Sequence, residues 1–438
     1  MKTAVFTIAS RNYFAFVHTL MKSLEKTNPS WDRFVALADE MTDEFVARPR
    51  NFDLISLEEL DLPDYKKMLF RYTILEFNTA IKPFVFKMLL SKMGYDRIIY
   101  FDPDIFVYEK LNEIEDLFDR GEQIILTPHF TGLWKDDKLP DEVAIMQAGA
   151  YNLGFLAVAN GEDTRSLLEW WADKLKYKCV VLLEKGIFVD QKWMDLVPGL
   201  FSNVAILRHE GYNVAYWNLS HRKASKKDNR YYFNNQILKF FHFSGLNPND
   251  ISNVSKYQNR FDINNVGMVR EIIIKYASDV TSNDFAIYSK YAYKYNEFDD
   301  GSEINDMFRY AYRDNLWLQE KCGANPFYCH NIFIQERRKI VSYMLHYIWN
   351  HSVDVQEAYP NKMSVGYLNW FKSVGALECG IDKQYVKDIE HEISKINIKT
   401  LIKKISLNFR THLRKNLPNS IYIKIRRVYQ KLSKRKRK

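Results

Sequence analysis

The stretch YDRIIYFDPDIFVY, residues 95–108, constrains this chain more than any other. Ile98, Ile99, Tyr100 and Phe101 form a short apolar run of strand-forming residues, and Ile105 to Tyr108 form a second. Asp102, Pro103 and Asp104 interrupt the run, and a proline at that point ends ladder pairing. A buried strand that stops at two carboxylates spaced i, i+2 outlines a cation site, because hard divalent metals take oxygen ligands. A cation held there would also offset the charge of a diphosphate leaving group. The same spacing suits two aspartates that only cap a turn. Their place at the end of an apolar strand, where open α/β sheets hold ligands, favours the metal.

Length and composition set the frame for that site. A chain of 438 residues has room for roughly two to three domains. Its 47% hydrophobic and 15% aromatic content fills a core and excludes a largely disordered chain. The cysteines, Cys179, Cys322, Cys329 and Cys379, form no CxxC pair and read as reduced core residues of a cytosolic protein. The apolar part of MKTAVFTIAS is short for a secretory signal, and no run of about 18 apolar residues occurs, so no membrane-crossing segment is expected. The net charge of +9 is uneven: no acidic residue follows Glu392, while Lys and Arg recur to the end.

In chain order, Ala4 to Ala9 predicts a strand that opens into Ser10, Arg11, Asn12 and Tyr13. A helical pattern follows through Phe16, Leu20 and Leu24 to Asn28 and Pro29. Phe34 to Ala38, closed by Asp39, is the next strand, and Leu54 to Leu57 a further short one. This β-α-β opening has no GxGxxG or P-loop glycine cluster, so a nucleotide would be held differently from a dinucleotide fold. Tyr13, at the first strand–helix turn, suits stacking on a base and equally suits a surface tyrosine covering the helix start. Thr79 to Met93 reads as a helix with Phe84, Met88 and Leu89 on one face and Pro83 in its first turn. Lys82 on this helix is a candidate for a phosphate contact, whereas Lys87 fits a solvated face.

Ile124 to Leu126 predicts a strand and Thr127 to Leu139 a loop. In AGAYNLGFLAVAN, residues 148–160, Asn152 and Gly154 precede an apolar strand, and the glycine lets backbone approach a ligand closely. Leu167 to Leu175 reads as an amphipathic helix with Trp170 and Trp171 in the core. Asp190 and Gln191 open a helix in FVDQKWMDLVP, residues 188–198, where Asp190 suits an N-cap as well as a site. Phe240 to Gly245 gives an aromatic strand with one histidine, His242. A lone histidine on such a strand is usually a satisfied core residue, but neutral imidazole beside Asp102 and Asp104 would complete a site for Mn²⁺.

Beyond about residue 260 the chain is rich in tyrosine and charge, and Asn331 to Trp349 predicts a long helix. Cys329-His330 and His346…His351 lack zinc spacing and read as structural. From Tyr385 onward the sequence turns basic and periodic. Ile421, Ile425, Val428 and Leu432 form an apolar stripe flanked by Lys424, Arg426, Arg427 and Lys431, which suits an anionic membrane surface. Nucleic acid competes for any basic run, but the few aromatics and the regular apolar face argue against it.

These motifs, in this order, resemble the retaining glycosyltransferases of the GT-A fold: family 8 and related bacterial enzymes that build surface polysaccharide. The resemblance covers about residues 1–260. By it, Ser10, Asn12 and Tyr13 match the segment that holds the nucleotide base. Asp102 and Asp104 match the Asp-x-Asp that binds Mn²⁺ and the UDP diphosphate. Asn152 and Gly154 match the strand that lines the donor sugar, and Asp190 and Gln191 the pair beside the anomeric carbon. His242 and Gly245 match the start of a His-x-x-Gly-x-x-Lys-Pro motif whose histidine binds the metal. Two departures stand out. Leu246, Asn247 and Pro248 follow Gly245, so the motif's lysine is missing or shifted, leaving Lys82 as the alternative phosphate contact. The family's arginine on the helix before Asp-x-Asp is also absent, with only lysines there.

The resemblance implies an α/β GT-A domain over 1–260, with a Rossmann-like mixed sheet flanked by helices. A mainly helical region follows over 261–384 and the basic tail over 385–438. It implies transfer of a sugar from a UDP-sugar to a hydroxyl of a glycan or lipid-linked acceptor, with retention, using Mn²⁺ or Mg²⁺. The expected location is cytoplasmic, peripheral on the inner face of the cell membrane. Gln191 would stabilise an oxocarbenium-like state, and Asp190 would orient the sugar hydroxyls. An inverting enzyme needs a carboxylate base instead, for which Asp136, Asp137, Asp141 and Glu142 are available. The reading from another class is a non-catalytic, membrane-associated protein that binds sugar nucleotides.

Overall fold

Runs of β-branched and aromatic residues form strands where the pattern calls for them. In chain order these are β1 (Thr3–Ala9), β2 (Asp32–Leu37), β3 (Asp53–Ile55), β4 (Arg97–Phe101), β5 (Ile105–Val107), β6 (Ile124–Leu126) and β7 (Phe155–Ala159). A small hairpin, β8 (Val181–Leu182) and β9 (Ile187–Phe188), precedes β10 (Val204–Ile206). A ribbon of β11 (Ala224–Lys227), β12 (Arg230–Phe233) and β13 (Gln236–Ile237) leads to β14 (Phe240–His242). The computed structural model describes residues 1–362, 364–378 and 381, so the basic tail assigned to 385–438 lies outside the described residues.

The main sheet runs β10-β6-β7-β4-β1-β2-β3. Every neighbouring pair is parallel except those of β7, which is antiparallel to β4 and β6. From β1 the chain builds outward to β2 and β3, then returns to lay β4 on the other side of β1. That reversal opens a crevice at the carboxyl ends of β1 and β4, where open α/β sheets bind ligands. All five residues of β4 are buried, as suits a central strand covered on both faces.

β5 leaves the main sheet and pairs antiparallel with β14, setting His242 opposite Ile105. Three buried rings fix this pair to the sheet. Phe101 ends β4, Phe155 starts β7 and Phe240 starts β14, with ring centroids 5.2–5.5 Å apart. Buried phenyl rings of this kind contribute about 3–5 kcal/mol each relative to alanine. The apolar core thus determines which histidine stands beside the two aspartates.

The helix Phe14–Thr27 buries Phe14, Val17, Leu20, Met21 and Leu24. The expected helix Thr79–Met93 begins earlier and is broken. Thr73 and Glu76 form a capping box that starts the helix Ile74–Ala80, and a second helix, Lys82–Lys87, continues into a π turn, Met88–Lys92. Pro83 accounts for the break, since its ring would meet the carbonyl four residues back in a continuous helix. The expected helix Asn331–Trp349 is found as His330–Gln335 and Arg337–His351.

The chain forms two compact units. One holds Met1–Ile304 with Tyr312–His330, and the other Asn305–Ala311 with the described residues from Asn331 onward. Helices dominate the chain after Val269. Among the described residues no helix is long and apolar enough to cross a membrane.

Candidate active site

The carboxyl ends of β1 and β4 border a cleft of about 270 Å³. Ser10 and Tyr13 line it from the end of β1, Asp102 and Asp104 from the end of β4, and His242 and Gly245 from the end of β14. The turn after β1 is held by Arg11, whose guanidinium meets Asp39 at 3.2 Å and whose backbone N–H donates to the same carboxylate. With Arg11 turned inward, Tyr13 faces outward, 44% exposed, and stacks on Phe16 at 5.1 Å. It therefore covers the helix start and lines the cleft at once. Ser10 donates to Asn12 Oδ1 at 2.5 Å. Asn12 is half-buried and is not among the cleft-lining residues.

Asp102, Asp104 and His242 each offer a ligand atom within 4.8 Å of the others. His242 Nε2 lies 3.0 Å from Asp104 Oδ1 and 3.8 Å from Asp102 Oδ2. Its Nδ1 lies 3.2 Å from Asn152 Oδ1. An amide oxygen only accepts, so Nδ1 donates to it; Nε2 faces the aspartates and would turn a lone pair to a cation bound between them. A partner on the far nitrogen orients metal-binding histidines in the same way. Two carboxylates and an imidazole fit a divalent cation of the Mn²⁺ kind. Burial alone would lower the His242 pKa, but the charges of Asp104 and Asp102 outweigh it and hold the imidazole up. Tyr100 adds a further constraint by donating to Asp102 Oδ1 at 2.5 Å. Burial, with Asp102 adding to it, pushes this phenol far above its ordinary pKa and keeps it a donor.

A buried polar layer stands behind these three residues. Lys82 does not reach outward to a phosphate, as its sequence position suggested. Its ammonium is 2.9 Å from Asp190 and 3.7 Å from Asp102, donates to Leu153 O at 2.8 Å, and sits over the Tyr100 ring. Pro83 and the break at Ile81 turn this part of the helix toward the sheet. Burial alone would discharge Lys82, and the two carboxylates outweigh it and keep the ammonium charged. Burial pushes Asp190 upward against the pull of Lys82; with nitrogen and oxygen in contact, we read the two as an ion pair. Asp190 occupies the N-cap position of the short helix Gln191–Leu196, but its side chain makes no capping bond. The capping alternative therefore does not describe it.

Gln191 is also tied inward. Its Oε1 accepts from Leu153 N at 3.0 Å and Asn152 Nδ2 at 3.3 Å, and its Nε2 donates to Ala148 O at 2.9 Å. Gly154 has a close neighbour within the protein. A β-carbon there would fall 2.4 Å from His242 Cε1, so the glycine makes room for the imidazole. Asn152, Gly154, Lys82, Asp190 and Gln191 are all absent from the lining of the cleft itself.

The model of glycosyl transferase family 8 matches residues 4–248, more than half of the chain. The chain belongs to this family. It is similar to two Bacillus subtilis (strain 168) proteins, each described as uncharacterized. YfnF is 26% identical over 58% of this chain and 86% of its own length, and YfnD is 23% identical over 55% and 76%. It is also similar to a crystal structure of galactosyltransferase LgtC in complex with donor and acceptor sugar analogs. There the identity is 17%, the coverage 64% of this chain and 96% of that one, and the TM-score 0.37.

As a family 8 member the chain is a glycosyltransferase with a GT-A fold, and its departures from the family pattern now have locations. The motif's lysine is absent after Gly245, but another lysine lines the cleft nearby. Gly245 turns at φ +74°, its carbonyl accepts from Lys256 N at 3.1 Å, and Lys256 and Tyr257 line the cleft. Asn78 and Thr79 line it from the helix Ile74–Ala80. Sequence reading missed all four. Asn78 and Thr79 follow a capping box that was legible at Thr73, but nothing local marks Lys256, which a loop carries back to the site. Lys82 occupies the helix before Asp-x-Asp where the family carries arginine.

Proposed function

We propose that this family 8 enzyme moves a sugar from a UDP-sugar to a hydroxyl of a glycan or lipid-linked acceptor in bacterial surface-polysaccharide synthesis, with retention. The observation that carries the reading is the convergence of Asp102, Asp104 and His242 on one side of a cleft whose other end is formed by Ser10 and Tyr13. Asp102, Asp104 and His242 would hold Mn²⁺ or Mg²⁺, and such an ion supplies Lewis-acid stabilisation of the departing diphosphate. Tyr13 faces the base and Lys256 the phosphates. The acceptor oxygen forms its bond to the anomeric carbon as the bond to UDP breaks, and its proton passes to a phosphate oxygen. Asp190 and Gln191 stand in the polar layer behind the cleft, from where they would act on the sugar, with the Gln191 carbonyl also accepting from Leu153 N.

Retention is supported by what the acidic loop does. Asp136, a base candidate for inversion, is gripped by Arg260 at 2.7 and 2.9 Å, which holds its pKa down at about 2. Asp141 caps the helix Glu142–Ala148 by accepting from Ala144 N. Membrane contact would fall to the basic tail, placing the enzyme on the inner face of the cell membrane.

The direct test is UDP release from a panel of UDP-sugars, with and without Mn²⁺. Metal-dependent release from one donor is expected; silence with every donor, together with no metal-dependent UDP binding, would remove the reading. A finer expectation concerns Tyr100→Phe. Losing the phenol that orients Asp102 should weaken Mn²⁺ affinity by about tenfold to a hundredfold, read by metal titration. Unchanged affinity would show that Asp102 needs no such support.

A further inference from the structure

The residue before Asp190 has an unusual backbone. Val189 has φ +39°, in the left-handed region where a β-branched side chain crowds its own backbone. Among the described residues, the other non-glycine residues with positive φ are all Asp or Asn, as at Asn213 and Asp284. Short polar side chains of that kind enter this region readily, and valine does not. Val189 is also only 4% exposed, so solvent does not ease the crowding.

The surroundings show how the conformation is held. β8 and β9 close at Gly186, and Val189 N extends their ladder by donating to Val180 O at 3.0 Å. One residue on, the Asp190 carbonyl accepts from the Trp171 indole at 3.3 Å, and its carboxylate meets Lys82. Gln191 is tied by its amide to Leu153, Asn152 and Ala148. Both flanks are pinned, and the chain has one residue in which to turn from the hairpin into the helix that starts at Gln191. Strained residues persist where their surroundings over-determine them, and they concentrate at functional sites.

We propose that Val189 is a positioning residue for sugar transfer: its branched side chain, held in left-handed backbone, locks the peptide that aims Asp190 and Gln191. The proposal rests on the reading of this cleft as the donor site. Glycine would adopt φ +39° without crowding, yet it would also leave the peptide free to take other conformations. A position that only had to turn would favour glycine. With both flanks pinned, valine's narrow left-handed well lets the peptide swing less about this conformation than glycine's broad one would.

Val189→Gly and Val189→Ala separate these roles. Alanine loses the packing methyls but keeps a β-carbon, and with it most of the restriction on φ. The kcat of Val189→Gly should fall at least about tenfold while the donor KM stays within about twofold, since the base and diphosphate contacts lie elsewhere in the cleft. Val189→Ala should retain more of kcat at one temperature below both melting points. Amide exchange gives a readout independent of turnover: Leu153 N–H, which donates to Gln191, should exchange faster in Val189→Gly than in Val189→Ala. Parental kcat together with parental Leu153 exchange in Val189→Gly would overturn the proposal. So would an equal loss in both variants, which is lost packing alone. If the parent turns over no donor, the proposed function fails instead, and exchange at Leu153 still decides the role of Val189.

Discussion

Asp104→Ala should reduce sugar transfer at least about a thousandfold, more than the loss typical of a metal's outer-shell partners. Asp104 is the closer of the two carboxylates to His242 Nε2, at 3.0 Å against 3.8 Å for Asp102. It also bears less of the surrounding structure. Asp102 accepts from Tyr100 and lies near Lys82, and its N–H is donated to Gly154 O. The Asp104 side chain has no protein partner of that kind beyond His242 among the bonds described above. Removing it therefore takes away a candidate ligand without opening the core, and the variant should melt close to the parent. Donor turnover across a Mn²⁺ titration, beside direct Mn²⁺ binding, tests both halves. A variant that keeps parental turnover at low Mn²⁺ would show that the cation, if one is used, is held without Asp104. A variant that loses activity because it unfolds would show instead that Asp104 has a structural role absent from these contacts.

The sequence made some of this site legible and left the rest hidden for identifiable reasons. Asp102 and Asp104 were readable because both the apolar strand before them and the proline between them are local signals. The turn at Ser10 to Tyr13 was readable on the same ground, as the end of an apolar run. His242 needed more, since its place beside the aspartates depends on β5 pairing with β14 and on the packing of Phe101, Phe155 and Phe240. None of those contacts is local. Gly154 was noticed without its neighbour His242, because a glycine announces close approach but not what approaches. The helical pattern put Lys87 on a solvated face, where it pairs with Glu169, but it did not show the burial of Lys82, which follows from the break before Pro83. The conformation of Val189 left no trace, since the usual markers of positive φ, glycine and asparagine, are missing at that position.

Lys82→Met is the substitution expected to damage the fold and the site together. The Lys82 and Asp190 side chains are 3% and 2% exposed, so methionine would leave a carboxylate buried without its partner. Breaking a buried pair in this way costs about 3–5 kcal/mol, which thermal or denaturant unfolding would register. The sign of the pH dependence follows from Asp190. Burial already pushes its pKa up, and Lys82 is what opposes that rise. Without Lys82 the folded chain would hold a proton that the unfolded chain releases, so stability would fall as pH rises above the ordinary aspartate range. The deficit against the parent should therefore be largest near neutral pH and shrink toward acid. Turnover should fall with it, because Lys82 also donates to Leu153 O, next to the N–H that holds Gln191. Lys82→Arg should recover most of both properties, since a guanidinium can bridge Asp190 and Asp102. A Met variant as stable as the parent at neutral pH would mean that Asp190 is neutral in the folded enzyme. The polar layer behind the cleft would then be a hydrogen-bonded network, with no ion pair at its centre.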